Sequence, residues 1–190
     1  MFSRTERLLL RPGWTEDASA LARTIADPAI ARNLTRLPWP YGVADAQRYI
    51  AEQQEQEFPD FLIFKRTRGA PQLIGGCGIS TSEDGAPELG YWIARHYWGL
   101  GFATEAAAAV MRIARATGLR RIRASHFRDN PASAGVLHKL GFRSTGKVET
   151  RHSPARGGAA ECVLFEDDGI APMRSDLSLD LYRDLAPVAA

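Results

Sequence analysis

A strand-like run beginning Glu88-Leu-Gly-Tyr-Trp-Ile-Ala-Arg leads through His-Tyr-Trp into Gly99-Leu-Gly-Phe-Ala-Thr-Glu-Ala106, where an alanine-rich helical pattern takes over. No other stretch constrains the fold as tightly. Its glycines permit a tight turn and a close approach of backbone to a ligand. The helix behind the turn presents free N–H groups and the positive end of its dipole. A strand–turn–helix junction of this kind is a site for phosphate.

The rest of the chain reads as alternating short strands and helices. Residues 6–11 form a strand stopped by Pro12-Gly13, and residues 15–26 a helix with Thr15 as its N-cap. Residues 27–42, with three prolines and the bulky Leu37, Trp39 and Tyr41, read as a loop. A helix over 43–57 turns Ala46, Tyr49 and Ile50 inward and ends at Pro59. Strands follow at 61–65, 72–80 and 87–95, joined by turns at 67–71 and 82–86. Gly75, Gly76 and Gly78 weaken the middle of the second of these. The helix over 102–117 stops at Gly118, and a strand occupies 119–127. Asn130-Pro131 opens a short helix as N-cap and first-turn proline, and Gly141 closes it. Strands at 142–150 and 161–165 flank a turn at 154–160; residues 177–185 form a strand or a short helix. The order β-α-α-β-β-β-α-β-α-β-β predicts a mixed α/β (α+β) layer fold with one helix-linked parallel pair and otherwise antiparallel neighbours.

At 190 residues the chain fits one domain, residues 1–190. A net charge of +2 with scattered arginines argues against a nucleic-acid partner. There is no ~20-residue apolar span to cross a membrane, and the N-terminal leucines are too few for a signal-peptide core, so the expected address is the cytoplasm. Cys77 and Cys162 match no zinc or redox spacing and read as core filling. His96, His126, His138 and His152 make no metal-ligand spacing, so no metal is expected; His126 is a candidate to face a cleft.

Three phosphate readings compete for the turn. A dinucleotide fingerprint ends in Gly or Ala at its sixth position, where this chain has Thr104, and a P-loop ends in Gly-Lys-Ser/Thr, which is absent. What remains is a turn that takes a pyrophosphate on consecutive N–H groups, or a ligand-free glycine turn.

A second motif decides between them. Asn130-Pro-Ala-Ser-Ala-Gly-Val-Leu-His-Lys-Leu-Gly-Phe142 follows a strand. Together with Gly99, Gly101 and Ala103, its Asn130, Ser133, Lys139, Leu140, Gly141 and Phe142 resemble the GNAT superfamily of acetyl-CoA-dependent N-acetyltransferases. The Trp98-Gly-x-Gly-Phe-Ala-Thr-Glu-Ala106 wording and the opening Thr5-Glu-Arg-Leu-Leu-Leu-Arg-Pro12 are closest to the branch that acetylates the N-termini of ribosomal proteins. The resemblance spans residues 5–165; 169–190 match nothing. One departure is Trp98, where many members carry Gln or Arg.

The resemblance implies a twisted, mostly antiparallel sheet with one splayed parallel pair, helices on both faces, and acetyl-CoA as co-substrate. It places the pyrophosphate on the N–H groups of Trp98, Gly99, Leu100, Gly101, Phe102, Ala103 and Thr104. The pantetheine arm then lies along Trp92 and Ile93, with Asn130 reaching it from the next strand's end. Lys139 and Arg95 are candidates for the 3′-phosphate. The chemistry implied is transfer of acetyl to a primary amine, with a non-catalytic acyl-CoA sensor as the alternative and a nucleotide-phosphate binder as a third class. Glu88 is the candidate base, set against a plain strand-edge carboxylate, because an ammonium of pKa ~10.4 must lose a proton before it can attack. Its direction depends on strand register. Ser133 is the candidate thiol-side donor, set against a hydroxyl bonded to its own helix cap; Tyr91 and Tyr97 are alternatives. Residues 28–58 and 151–160 would wall the acceptor cleft. The sequence does not select among a peptide N-terminus and small-molecule amines, and it admits a homodimer.

Overall fold

The computed structural model describes residues 1–167 except 56 and 83. One eight-stranded sheet runs through it. Its strands are β1 (Ser3–Arg4), β2 (Leu8–Arg11), β3 (Asp60–Lys65), β4 (Gln72–Thr81), β5 (Pro87–Ile93), β6 (Arg123–Phe127), β7 (Arg143–Ser153) and β8 (Gly158–Glu166). The spatial order is β1-β2-β3-β4-β5-β6-β8-β7. Every pairing is antiparallel except β5 with β6. That parallel pair has two rungs only, Glu88 to Arg123 and Leu89 to Ala124, and beyond them the strands diverge.

Among the described residues five α-helices cover the two faces: α1 (Ala18–Ile25), α2 (Pro28–Ala31), α3 (Val43–Gln54), α4 (Phe102–Ala116) and α5 (Pro131–Lys139). Among the described residues no helix is long and apolar enough to cross a membrane. Strand alternation sorts the core into two parts. Phe61, Ile63, Cys77, Ile79, Leu89 and Ile93 pack under α4. Leu62 and Phe64 pack against Leu21 and Ile25 of α1, Ile30 of α2 and Ala46 and Ile50 of α3. α4 is buried over a wide arc, Ala106 to Met111 without interruption, because alanine lets a helix lie close on a sheet.

Several boundaries differ from the sequence expectation. Residues 119–122 precede β6 rather than belonging to it. The β7–β8 hairpin is longer than expected: β7 runs to Ser153, a 3-10 turn occupies Pro154–Arg156, and β8 starts at Gly158. β5 ends at Ile93 and α3 at Gln54. The 27–42 segment holds a one-turn helix, α2, capped by Asp27 accepting from Ala29 N–H, with Pro28 in the first turn. Thr15 is not a cap; a 3-10 turn over Thr15–Asp17 precedes α1, and Asp17 accepts from Trp14 N–H at 2.8 Å. Gly76 and Gly78 make room rather than weakness: side chains there would occupy the places of the Trp92 indole and the Asp60 carboxylate. The 177–185 segment lies outside the described residues.

Candidate active site

The divergence of β5 from β6 opens a cavity of about 870 Å³. Its walls come from β5 and β6, the start of α4, α5, β4, single residues of β3, β7 and β8, α3 and the segment leading into it, and the inner face of α1. The register settles which way each β5 side chain points. Glu88, Gly90 and Trp92 pair with Ser80, Gly78 and Gly76, on the face covered by α1 and α3; Leu89, Tyr91 and Ile93 face α4.

Gly101 caps α4 in the left-handed conformation, φ +81°, which glycine adopts without strain. The first bond back into the turn is from Glu105 N–H to the Gly101 carbonyl, at 3.1 Å. Among the described residues the N–H groups of residues 99–104 have no protein acceptor. Trp98 departs from its expected role, because its N–H is engaged by the Arg95 carbonyl at 3.2 Å. Its indole Nε1 instead donates to the Ile93 carbonyl at 2.6 Å and pins the end of β5. The Leu100 side chain is exposed and lies off the cavity wall, whereas Gly99, Gly101, Phe102, Ala103 and Thr104 line it.

Arg7, which the sequence did not single out as a site residue, holds this turn. Its Nε donates to Glu105 Oε2 at 2.7 Å, its Nη1 to the Leu100 carbonyl at 3.0 Å, and its guanidinium lies over the Phe102 ring. The buried Glu105 also accepts from Thr5 Oγ1 and from Arg7 N–H. β2 is thereby tied to the start of α4.

On the α5 side, Tyr91 Oη lies 2.8 Å from Ser133 Oγ and donates to the Ser133 carbonyl at 3.1 Å. Ser133 therefore bonds Tyr91, while its own N–H is capped by Asn130 Oδ1 at 3.4 Å. Burial raises the Tyr91 phenol well above its usual range, and Ser133 only partly offsets it. Tyr91 is thus a proton donor throughout the neutral range. Tyr97 is turned elsewhere, donating to Gln72 Oε1 at 2.8 Å. His126 lines the cavity with Nδ1 2.8 Å from the Phe127 carbonyl.

Glu88 meets a partner from the far edge of the sheet. Its Oε1 accepts from Arg151 Nη1 at 2.5 Å and from Ser125 Oγ at 2.8 Å, while Oε2 has no protein partner among the described residues. Only 11% of its side-chain surface is exposed. Deeper along the same face, Asp60 Oδ2 accepts from Tyr49 Oη at 2.9 Å, and Gln53 supports both. The period-two pattern holds a signal for Asp60: it shares a strand face with the buried Leu62 and Phe64. Arg151 and Ser125 carry no such signal, because only the long-range strand order brings them to Glu88.

The cavity rim at residues 33–38 is clasped to the β7–β8 hairpin. Ser153 Oγ donates to the Leu34 carbonyl at 2.9 Å and Arg156 Nε to the Arg32 carbonyl at 2.6 Å. Arg156 also makes a two-point contact with Asp129, which Arg32 shares.

With this geometry in hand, the likeness to known proteins is specific. Residues 7–143 match the acetyltransferase (GNAT) domain family. The chain is 30% identical over 171 residues to the uncharacterized N-acetyltransferase p20 of Bacillus licheniformis, covering 85% of this chain and 92% of that one. The fold superposes on the ribosomal-protein-S5-alanine acetyltransferase of Vibrio fischeri with a TM-score of 0.75, at 19% identity, over 90% of this chain and 100% of that one. A ribosomal L7/L12 alpha-N-protein acetyltransferase, solved in complex with coenzyme A, superposes with a TM-score of 0.73 at 19% identity, over 88% and 98% of the two chains.

Proposed function

The chain belongs to the GNAT acetyltransferase family, and from that premise we propose that it moves the acetyl group of acetyl-CoA to a primary amine, on a protein N-terminus or a small molecule, by direct attack. The observation that carries this reading is the run of unpartnered N–H groups over residues 99–104, opening into the same cavity as the divergence of β5 and β6. A row of N–H donors at the positive end of the 15-residue α4 fits a pyrophosphate.

When bound, acetyl-CoA supplies an acetyl group activated as a thioester. Gly99 to Thr104 would hold its pyrophosphate, with Arg7 fixing the turn. Trp92, Ile93 and Asn130 would flank the pantetheine arm, Trp98 acting through the clamp on Ile93. Tyr91 and Ser133 stand on the α4 and α5 side of β5 and would donate to the sulfur that leaves. Glu88 stands on the opposite side, and its Oε2 would accept from the N–H of the attacking amine and aim its lone pair.

Calorimetry with acetyl-CoA, CoA and ATP, followed by free-thiol release with an amine panel, tests the reading. Binding of acetyl-CoA and CoA with turnover of an amine is expected. Binding of ATP alone would overturn it, and tight acetyl-CoA binding without turnover would make the chain an acyl-CoA sensor.

A further inference from the structure

Among the described residues four carboxylates line the cavity: Asp45, Glu52, Asp60 and Glu88. Asp45 pairs with Arg48 and accepts from Gly42 N–H. Glu88 pairs with Arg151, and Glu52 is exposed. Asp60 differs from all three. Its hydrogen-bond donors, Tyr49, Gln53 and the Phe61 N–H, are neutral, and no Lys, Arg or His pairs with it among the described residues. A half-buried carboxylate with neutral donors alone is relieved either by a cation that pairs with it or by taking up a proton.

The sheet register supplies a path from Asp60 to the gap. Asp60 pairs across to Gly78, and Gly78 across to Gly90. No side chain stands on this row between the Asp60 carboxylate and the edge of β5. A side chain at 78 would take the place of Asp60 Oδ1, so that oxygen already leans over β4. Gly90 is one strand spacing further, about 4.8 Å. It is also the first β5 residue beyond the last rung with β6. A nitrogen above Gly90 is within reach of Asp60, directly or through one water, while lying beside the divergence of the strands.

Resting on the acetyltransferase reading above, we propose that Asp60 is a catalytic residue that draws in the acceptor as an ammonium ion and takes its proton. The ammonium and the Asp60 carboxylate become a free amine and the Asp60 carboxylic acid. The N–H electron pair stays on nitrogen as the attacking lone pair, and the proton passes to water once product has left. Glu88 is worse placed to accept it, because its Oε1 is held by Arg151 and Ser125, whereas Asp60 has neutral donors alone. Burial raises the Asp60 carboxyl above the usual carboxylate range, against the three hydrogen bonds that pull the other way. The titratable group facing it is Tyr49 from α3, with Tyr41 beside Tyr49, while Cys77 lies next to Gly78 on the other face of β4; burial pushes all three up, so they stay neutral and do not compete for the proton.

The test compares wild type, Asp60→Asn and Tyr49→Phe on n-butylamine, an alanyl peptide and a seryl peptide. Asp60→Asn keeps the shape and the Tyr49 contact. It should bind acetyl-CoA within about twofold of wild type, lose at least ~100-fold in kcat/KM, and lose the acid limb of the pH profile. Tyr49→Phe removes a donor that favours the charged carboxylate, so its acid limb should move to higher pH. Wild-type kcat/KM in Asp60→Asn, or an unmoved limb in Tyr49→Phe, overturns the proposal. Absence of turnover in the wild type would be a failure of the acetyltransferase reading instead. Calorimetry of the same amines into the CoA complex then still decides on Asp60. Binding weakened ~10-fold or more in Asp60→Asn supports it, and equal binding in both, or none to the wild type, overturns it.

Discussion

Arg151 Nη1 lies 2.5 Å from Glu88 Oε1, although β6 and β8 separate their strands in the sheet. The pair therefore fastens the two halves of the sheet just where β5 and β6 have only two rungs. Removing one partner of a largely buried pair strands the other. Arg151→Met should cost ~2 kcal/mol in urea unfolding, at the low end for such a pair because Arg151 keeps some solvent contact. Glu88→Gln should lower kcat roughly tenfold or more while leaving acetyl-CoA affinity unchanged. The double variant should recover part of the lost stability, a coupling that a double-mutant cycle reads directly.

Arg7→Ala should separate binding from chemistry. It removes the cation from the buried Glu105 and the donor from the Leu100 carbonyl, and so loosens the turn without touching Glu88, Asp60 or Tyr91. The expected result is ~2 kcal/mol of destabilisation and a KM for acetyl-CoA raised about tenfold, with kcat nearly kept. Arg7→Lys should not restore it, since one ammonium cannot serve Glu105 and Leu100 together in the fork geometry.

Tyr91 and Ser133 share one hydrogen bond and should act as a unit. Tyr91→Phe and Ser133→Ala should each lower kcat, and the double variant should be little worse than the poorer single one. Because the Tyr91 phenol is raised by burial, the wild-type rate should show no alkaline loss from this group below its ordinary pKa of ~10. Single-turnover rates across pH check both points.

Asp17 and Asp60 should shift stability in opposite directions with pH. Burial raises Asp17, but the Arg11 hydrogen bond, the Trp14 N–H and the Arg11 charge outweigh it, and the carboxyl titrates below its unfolded value. Its contribution is present above the unfolded pKa of ~3.9 and is lost as pH falls through the folded one. Asp17→Asn should therefore lower Tm at pH 7, with the deficit shrinking in acid. Asp60 is raised, so its ionisation costs stability once pH exceeds ~3.9, more fully as pH passes the folded value. Asp60→Asn should raise Tm at pH 7, and the gain should vanish near pH 4. Calorimetric melting at several pH values checks both signs.

Much of this arrangement was legible in the residues, and the parts that were not share a cause. The Gly99–Thr104 turn, the Asn130 cap and the hairpin order are local: glycine at a positive φ, an N-cap before proline and a two-residue period each announce themselves within a few positions. The direction of Glu88 was not local, because it follows from β5 pairing with β4, and a slip of one residue would have turned it toward α4. Its partner Arg151 lies 63 residues along the chain and meets it through a strand order that β8 creates by entering between β6 and β7. β8 itself began three residues earlier than the sequence suggested, since Gly158-Ala-Ala160 has poor strand propensity and is held by pairing with Arg151 to Ser153. Arg7 looked like one charge among several in a leucine-rich strand; only the docking of α4 gives it a role.

The clasp of Arg156, Asp129 and Arg32 has one more consequence. Arg32 and Asp129 are about half exposed, unlike the apolar packing that carries the sheet. Dissolved salt screens such contacts over a Debye length of about 8 Å at physiological ionic strength and over less in stronger brine, while leaving the core untouched. The rim of the cavity is thus one of the places that ionic strength addresses, along with exposed pairs such as Arg123–Asp84 and Arg128–Glu161. The hold of the hairpin on residues 32–34 is set by the medium as well as by the fold.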